Sequence, residues 1–215
     1  MILDAREVTS EVVAQAVAAL RARGVVALPT DTVYGLAALP RSAEHTGQLF
    51  ALKGRADDVP VAVLCASADQ ALGLADPDRV NDDVRRMAAR LWPGPLTLVL
   101  ARRQGLGYAL GEPAATVGVR CPDHPLVRAL AAEVGPLATT SANLHGEPTP
   151  PTAEGVAAVF GGGVALVLDG GPRGGTPSTV VDCTGPEWRV LRAGEIGEAD
   201  LAAAAVAGAT PDPPG

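Results

Sequence analysis

Residues 61–65, VAVLC, form an apolar run with no polar interruption, and the run is too short for a helix. Such a segment is stable as a strand covered on both faces, the pattern of a sheet held between helix layers. Further apolar, β-rich runs recur at 25–28, 96–101, 116–120, 136–140, 164–168, 178–182 and 188–191. Helical patterns separate them at 10–23, 42–52, 67–74, 80–91, 125–134 and 153–160, with a weaker alanine-rich one at 199–207. Ser10, Ser42 and Thr152 stand where N-caps belong, and Gly24 where a helix stops. The alternation predicts an α/β domain. Aromatic residues are only 3% of the chain, so a core drawn from its 47% hydrophobic content must be filled by Ala, Val and Leu.

Charge narrows the function classes. A net charge of −7 and a pI near 4.9 disfavour a broad polyanion-binding face, while leaving room for a compact anionic ligand held by a few cations. Cys65, Cys121 and Cys183 are scattered without a CxxC pair, so they read as small buried hydrophobes in a reducing compartment. The N-terminus is too charged for a signal peptide, and no apolar run reaches membrane-spanning length. A soluble, cytoplasmic protein is expected.

Residues 25–55 concentrate the polar features. After the first strand, Thr30 and Thr32 flank Asp31 and Gly35 follows, a composition suited to a ligand-lining turn. The next helix ends on Lys53-Gly54-Arg55, and Lys53 is the single lysine beside sixteen arginines. That exception marks either a site needing a point charge near phosphate or an ordinary helix-terminal cation. Thr116, Arg120, Thr139, Ser141, Asn143, Ser178 and Arg192 all fall at strand termini, beyond which open α/β sheets hold ligands. Asp82, Asp83, Arg85, Arg86 and Arg90 read as a solvated helix face, and GGPRGG at 170–175 as a flexible lid. No P-loop, GxSxG or HExxH motif is present, and His45, His124 and His145 are isolated.

Taken in order, PTDTVYGL, LKGR, WPGPLTLVL, TVGVRCPDHP, PLATTSAN, GGPRGGTPSTVVD and VLRAGEI resemble the YrdC-type threonylcarbamoyl-AMP synthases from about Val8 to Ile196. The resemblance implies a single-domain, twisted, mixed-sheet α/β fold with an open concave ligand-binding face. It places the catalytic domain at 1–197 and leaves 198–215 as a weak helix and disordered tail, the short one-domain form. It implies a nucleotidyltransferase that joins L-threonine, bicarbonate and ATP into threonylcarbamoyl-AMP and pyrophosphate for the t6A base of tRNA. Mg2+ is expected to arrive with ATP, with no protein metal site. By similarity Lys53 and Arg55 are catalytic phosphate contacts, and Thr116, Ser141, Asn143, Thr149 and Arg192 hold ATP. Thr32, Arg120, Thr139 and Ser178 are implied on the L-threonine side. The downstream partner is the threonylcarbamoyl-transfer machinery, with no membrane and weak or absent direct tRNA binding. The chain departs from the family pattern at Ala56, at Leu64 and at Leu144-His145-Gly146, positions that bear on amino-acid specificity. Two rival readings are a carbamoyl-adenylate-forming module, which normally accompanies Cys-rich zinc motifs, and a non-catalytic RNA-binding domain.

Overall fold

Among the described residues ten strands make one mixed sheet: β1 (Ile2–Asp4), β2 (Val26–Leu28), β3 (Gly35–Ala38), β4 (Ala62–Leu64), β5 (Leu96–Ala101), β6 (Thr116–Arg120), β7 (Leu137–Ser141), β8 (Leu166–Asp169), β9 (Thr179–Asp182) and β10 (Arg189–Arg192). Their order across the sheet is β1-β8-β2-β3-β7-β4-β6-β5-β9-β10. The α-helices are α1 (Ser10–Arg21), α2 (Ala43–Lys53), α3 (Ala68–Leu72), α4 (Asp82–Leu91), α5 (Pro125–Val134), α6 (Ala153–Phe160) and α7 (Glu198–Ala205). This computed structural model describes residues 1–22, 24–54, 60–112 and 115–206. Arg55, Ala56 and the expected tail at 209–215 lie outside them.

Alternate strand positions feed two hydrophobic layers, as the period of two requires. On one face α1 and α5 present Val12, Val17, Leu20, Leu126, Leu130 and Val134 to Val26, Leu28, Leu137 and Leu168. On the other, Leu49, Phe50, Met87, Val156 and Leu201 pack over Ala27, Leu36, Val63, Leu98 and Val181. The α1/α5 layer ends before the sheet does. Beyond it Ala62, Val99, Gly118 and Val180 are only half-buried, so this face carries an open trough.

Two strands escape the sequence pattern. β1 is three residues long and gains its partners from β8, pairing Ile2 with Val167 and Asp4 with Asp169. β3 reads GLAA, which looks like the continuation of a turn because Gly and Ala carry little strand preference. Pairing with β2 on one side and β7 on the other overrides that preference.

Details at helix ends also differ. Thr9, rather than Ser10, caps α1, its Oγ1 accepting from Val12 N at 3.2 Å. Ser42 occupies the cap of α2, but its hydroxyl pairs with His45 Nδ1 at 2.7 Å. Arg86 and Arg90 are not merely a solvated face. Arg90 Nη1 donates to the carbonyls of Ala203 (3.0 Å), Ala204 (2.9 Å) and Val206 (2.8 Å), and Arg86 Nε donates to Ala205. These cations close the exposed carbonyls at the end of α7, whose Leu201, Ala204 and Ala205 are buried.

The three cysteines are free and buried. Burial, with the nearby Asp182 and Asp83 charges, pushes the Cys183 thiol up to about 12. Among the described residues no helix is long and apolar enough to cross a membrane.

Candidate active site

The trough deepens into a cleft of about 600 Å³. Its floor is built from same-face residues at spacings of two: Thr97 and Val99 of β5, Thr116, Gly118 and Arg120 of β6, Ala62 and Leu64 of β4, Thr139 and Ser141 of β7. The polar groups stand at or beside strand ends, Thr116 opening β6 and Arg120 closing it, Ser141 closing β7, Arg192 closing β10 and Ser178 preceding β9, and small neighbours on the sheet face leave depth between them. A Cβ added to Gly118 would come no closer than 3.8 Å to Ala62 or Thr97, so packing does not demand glycine there. Its absence of a side chain is space for a ligand.

Exposure sorts the sequence candidates into two groups. Thr32, Arg120, Thr139 and Ser178 are 2%, 5%, 7% and 5% exposed, at the bottom of the cleft. Thr116, Ser141, Asn143 and Thr149 are half-buried and Arg192 is exposed, along its rim.

Arg120 is held from several sides. The WPGP turn places the Gly94 carbonyl 3.0 Å from its Nε, Thr32 Oγ1 accepts from Nη1 at 3.1 Å, and Asp31 Oδ1 accepts from Nη2 at 2.6 Å. Three of the five N–H groups of a guanidinium are thus engaged, and two are left for a ligand. Asp31 is the residue that sequence reasoning passed over. It lies 89 positions from Arg120, and only the fold shows that the buried cation needs its charge.

Across the cleft, Thr97 Oγ1 and Ser178 Oγ lie 2.9 Å apart. Arg192 Nη2 donates to Ser178 O at 2.9 Å and to Ser178 Oγ at 3.2 Å. Although the residue as a whole is exposed, partial desolvation of its guanidinium against Ser178, and then the like charge of Arg120, lowers the Arg192 pKa from its ordinary value. Two guanidiniums therefore face one space, an arrangement that an anion would stabilise.

Lys53 stands against two residues of the rim, Ser141 and Asn143. It is 2% exposed and is not part of the cleft wall. Its ammonium donates to Ser141 O at 2.8 Å, to Asn143 Oδ1 at 2.8 Å and to Asn143 O. The lysine lies beneath the Ser141-Ala142-Asn143 turn and sets the positions of both rim residues. Arg55, its expected companion, falls outside the described residues.

The GGPRGG segment is tied down rather than a loose lid. Arg173 N donates to Pro151 O at 2.7 Å, Gly175 N to Thr32 O at 3.3 Å, and Tyr34 Oη to Gly171 O at 2.8 Å. A Cβ at Gly175 would stand 2.9 Å from the Thr32 carbonyl, so glycine permits this close approach over the cleft.

The profile of the Sua5/YciO/YrdC family, described under telomere recombination, matches residues 18–194. The chain belongs to the Sua5/YciO/YrdC family. Among its relatives, the threonylcarbamoyl-AMP synthase of Bacillus subtilis is 41% identical over 187 residues, covering 86% of this chain and 54% of that protein. A Mycobacterium tuberculosis protein provisionally given the same name is 40% identical over 191 residues, covering 88% and 87% of the two chains. Pyrococcus abyssi Sua5 complexed with L-threonine superposes with a TM-score of 0.87 at 35% identity, over 95% of this chain and 60% of that one. The chain thus spans little more than half of the Bacillus relative and of the archaeal structure. In this Sua5/YciO/YrdC chain the departing Leu64 is 4% exposed and lines the cleft beside Arg120, its register partner across β4 and β6.

Proposed function

We propose that this chain is an L-threonylcarbamoyladenylate synthase, forming threonylcarbamoyl-AMP and pyrophosphate from L-threonine, bicarbonate and ATP. The observation that carries the reading is the division of the cleft by depth. The buried set of Thr32, Arg120, Thr139 and Ser178 suits a small zwitterion with a hydroxyl, and the rim set of Thr116, Ser141, Asn143, Thr149 and Arg192 suits a larger, more exposed nucleotide. Arg120 offers its two unengaged N–H groups to the threonine carboxylate, a match between fork and oxygen pair. Asp31 fixes the orientation of that fork.

The threonine carbamate must attack the α-phosphorus of ATP while pyrophosphate leaves, so positioning and charge neutralisation supply most of the rate. Arg192 reaches over Ser178 between the two halves of the cleft and is assigned to the nucleotide phosphates. Lys53 is assigned to holding Ser141 and Asn143 in their phosphate-facing positions. Magnesium enters on the triphosphate as part of the substrate. The cleft wall offers hydroxyls, amides and cations for the triphosphate to rest against, and among the described residues no group of three His, Cys, Asp or Glu side chains is placed to hold a metal.

The adenylate is passed to a threonylcarbamoyl-transfer machinery acting on tRNA. The net charge of −7 favours that hand-over above direct tRNA binding by this chain. The buried free cysteines suit a reducing cytoplasm. Mass spectrometry of reactions lacking one substrate at a time tests the reading: the adenylate and pyrophosphate should form only with L-threonine, bicarbonate and ATP together. Equal pyrophosphate release with serine or carbamoyl phosphate would overturn it.

A further inference from the structure

Four polar side chains stand in file across the cleft. Arg120 closes β6, Thr97 lies on β5, Ser178 precedes β9 and Arg192 closes β10, and those strands are neighbours in that order. β5 and β6 run antiparallel with Leu98 opposite Val119, so the next step of the register brings Thr97 beside Arg120. β5 and β9 run parallel with Leu96 opposite Thr179, which sets Ser178 on the other side of Thr97, with 2.9 Å between the two hydroxyls. Arg120, Ser178 and Arg192 already have ligands assigned to them. Thr97 does not.

The main chain around Ser178 is fixed from two directions. Thr179 N donates to Pro95 O at 3.0 Å, while Thr179 Oγ1 donates to Ile196 O at 2.8 Å and accepts from Ile196 N at 3.0 Å. A Cβ at Gly194 would collide with the Pro177 carbonyl and the Thr179 nitrogen, so the chain leaving β10 presses directly on this backbone. What stays adjustable at Ser178 is the rotamer of its side chain and the direction of its proton. Its neighbours choose both.

The donors and acceptors give the choice. A guanidinium can only donate, so the 3.2 Å contact from Arg192 Nη2 occupies one lone pair of Ser178 Oγ. That cation turns the Ser178 proton away from itself and makes the hydroxyl a stronger donor to the next group in the chain. The next group is Thr97 Oγ1, and among the described residues no other donor competes for that oxygen. The order is therefore Arg192 to Ser178 to Thr97. Ser178 is left with one lone pair for whatever enters the cleft.

We propose that Thr97 is a positioning residue for the amino-acid side of the cleft: it takes the Ser178 proton, so that Ser178 meets L-threonine as an acceptor. Thr97 acts through Ser178 and not by touching the ligand. Without the threonine hydroxyl at 97, the Ser178 proton would turn into the cleft and face the donors of the amino acid. The inference rests on the proposed synthase reading, which places L-threonine at Ser178.

The test is calorimetric titration of L-threonine into the full chain without ATP, with steady-state turnover beside it. Thr97→Val keeps the shape and loses the hydroxyl, and should weaken threonine binding by about fivefold. Thr97→Ser keeps the acceptor and should bind within about twofold of wild type. Ser178→Ala should weaken threonine by itself, and adding Thr97→Val to it should cost less than a further twofold or so, because the second change has nothing left to act through. In turnover, Thr97→Val should raise KM for threonine by about fivefold and leave KM for ATP within about twofold. Wild-type affinity in Thr97→Val, unchanged affinity in Ser178→Ala, effects that multiply in the double variant, or equal weakening of threonine and ATP would each overturn the positioning role and leave adenylate synthesis standing. Failure of the wild-type chain to make any threonine-dependent adenylate would overturn the synthase reading and the inference with it.

Discussion

Lys53 separates two roles that the family segment LKGR does not distinguish. Its ammonium is buried and supplies donors to Ser141 O, Asn143 O and Asn143 Oδ1. Lys53→Ala takes that donor from Ser141 O and Asn143 O, while Asn143 Oδ1 keeps the Ser141 hydroxyl, at about 1–3 kcal/mol for each oxygen left unsatisfied and partly relieved as the turn relaxes. A net loss of about 3 kcal/mol is expected, and at about 2–4 °C per kcal/mol for a chain of this size the melting temperature should fall by roughly 6–12 °C. Lys53→Arg should not restore the wild type, because the three acceptors surround one point and a planar fork cannot converge on them. Its KM for ATP should rise, since Ser141 and Asn143 lose their positions. Thermal melts beside turnover at saturating substrates check both variants. A Lys53→Ala protein that melts within about 2 °C of wild type yet loses turnover would refute the supporting role and return the lysine to direct phosphate contact.

Other perturbations address the rest of the molecule. Arg120→Ala should weaken threonine by on the order of 2–5 kcal/mol, and ATP by less, as read from separate KM values; equal weakening would mark a structural role. Gly118→Val should raise KM for both ligands with a melting temperature within about 3 °C of wild type, because the added carbons point into the cleft rather than into packed neighbours. Arg90→Ala should lower stability by about 1–2 kcal/mol through the uncapped carbonyls of α7, measured by urea denaturation, with turnover unaffected. For His124, whose pKa is depressed to about 4 in the fold, the stabilising contribution is complete above the unfolded value near 6.5 and is lost as pH falls from there to about 4. Up to about 3 kcal/mol is at stake, and melts across that window should show a steeper fall in wild type than in His124→Gln.

Much of the fold is written locally. The runs that became β5, β6 and α5 have the bounds their composition implies, because each is framed by its own breaker: WPGP before β5, Pro122 after β6, Pro125 opening α5 and Gly135 closing it. The family order of segments likewise pointed to residues that line the cleft, such as Thr32, Arg120 and Ser178, but not to Thr97, which the fold sets 2.9 Å from the Ser178 hydroxyl. What the sequence could not contain is which long-range neighbours each residue would meet. β3 is a strand only because β2 and β7 flank it, and α7 is more than an alanine stretch only because Arg86 and Arg90 reach its carbonyls. Lys53 stood out by composition as a cation near the nucleotide, but burial beneath residues 141–143 decides what that cation touches. Asp31 and His124 looked like a turn former and an isolated loop histidine. They become chemistry when the fold brings Asp31 to Arg120 across 89 residues and His124 to Arg173 across 49, since the free energy of a buried charge or an unpaired proton exists only once the surrounding water has been excluded.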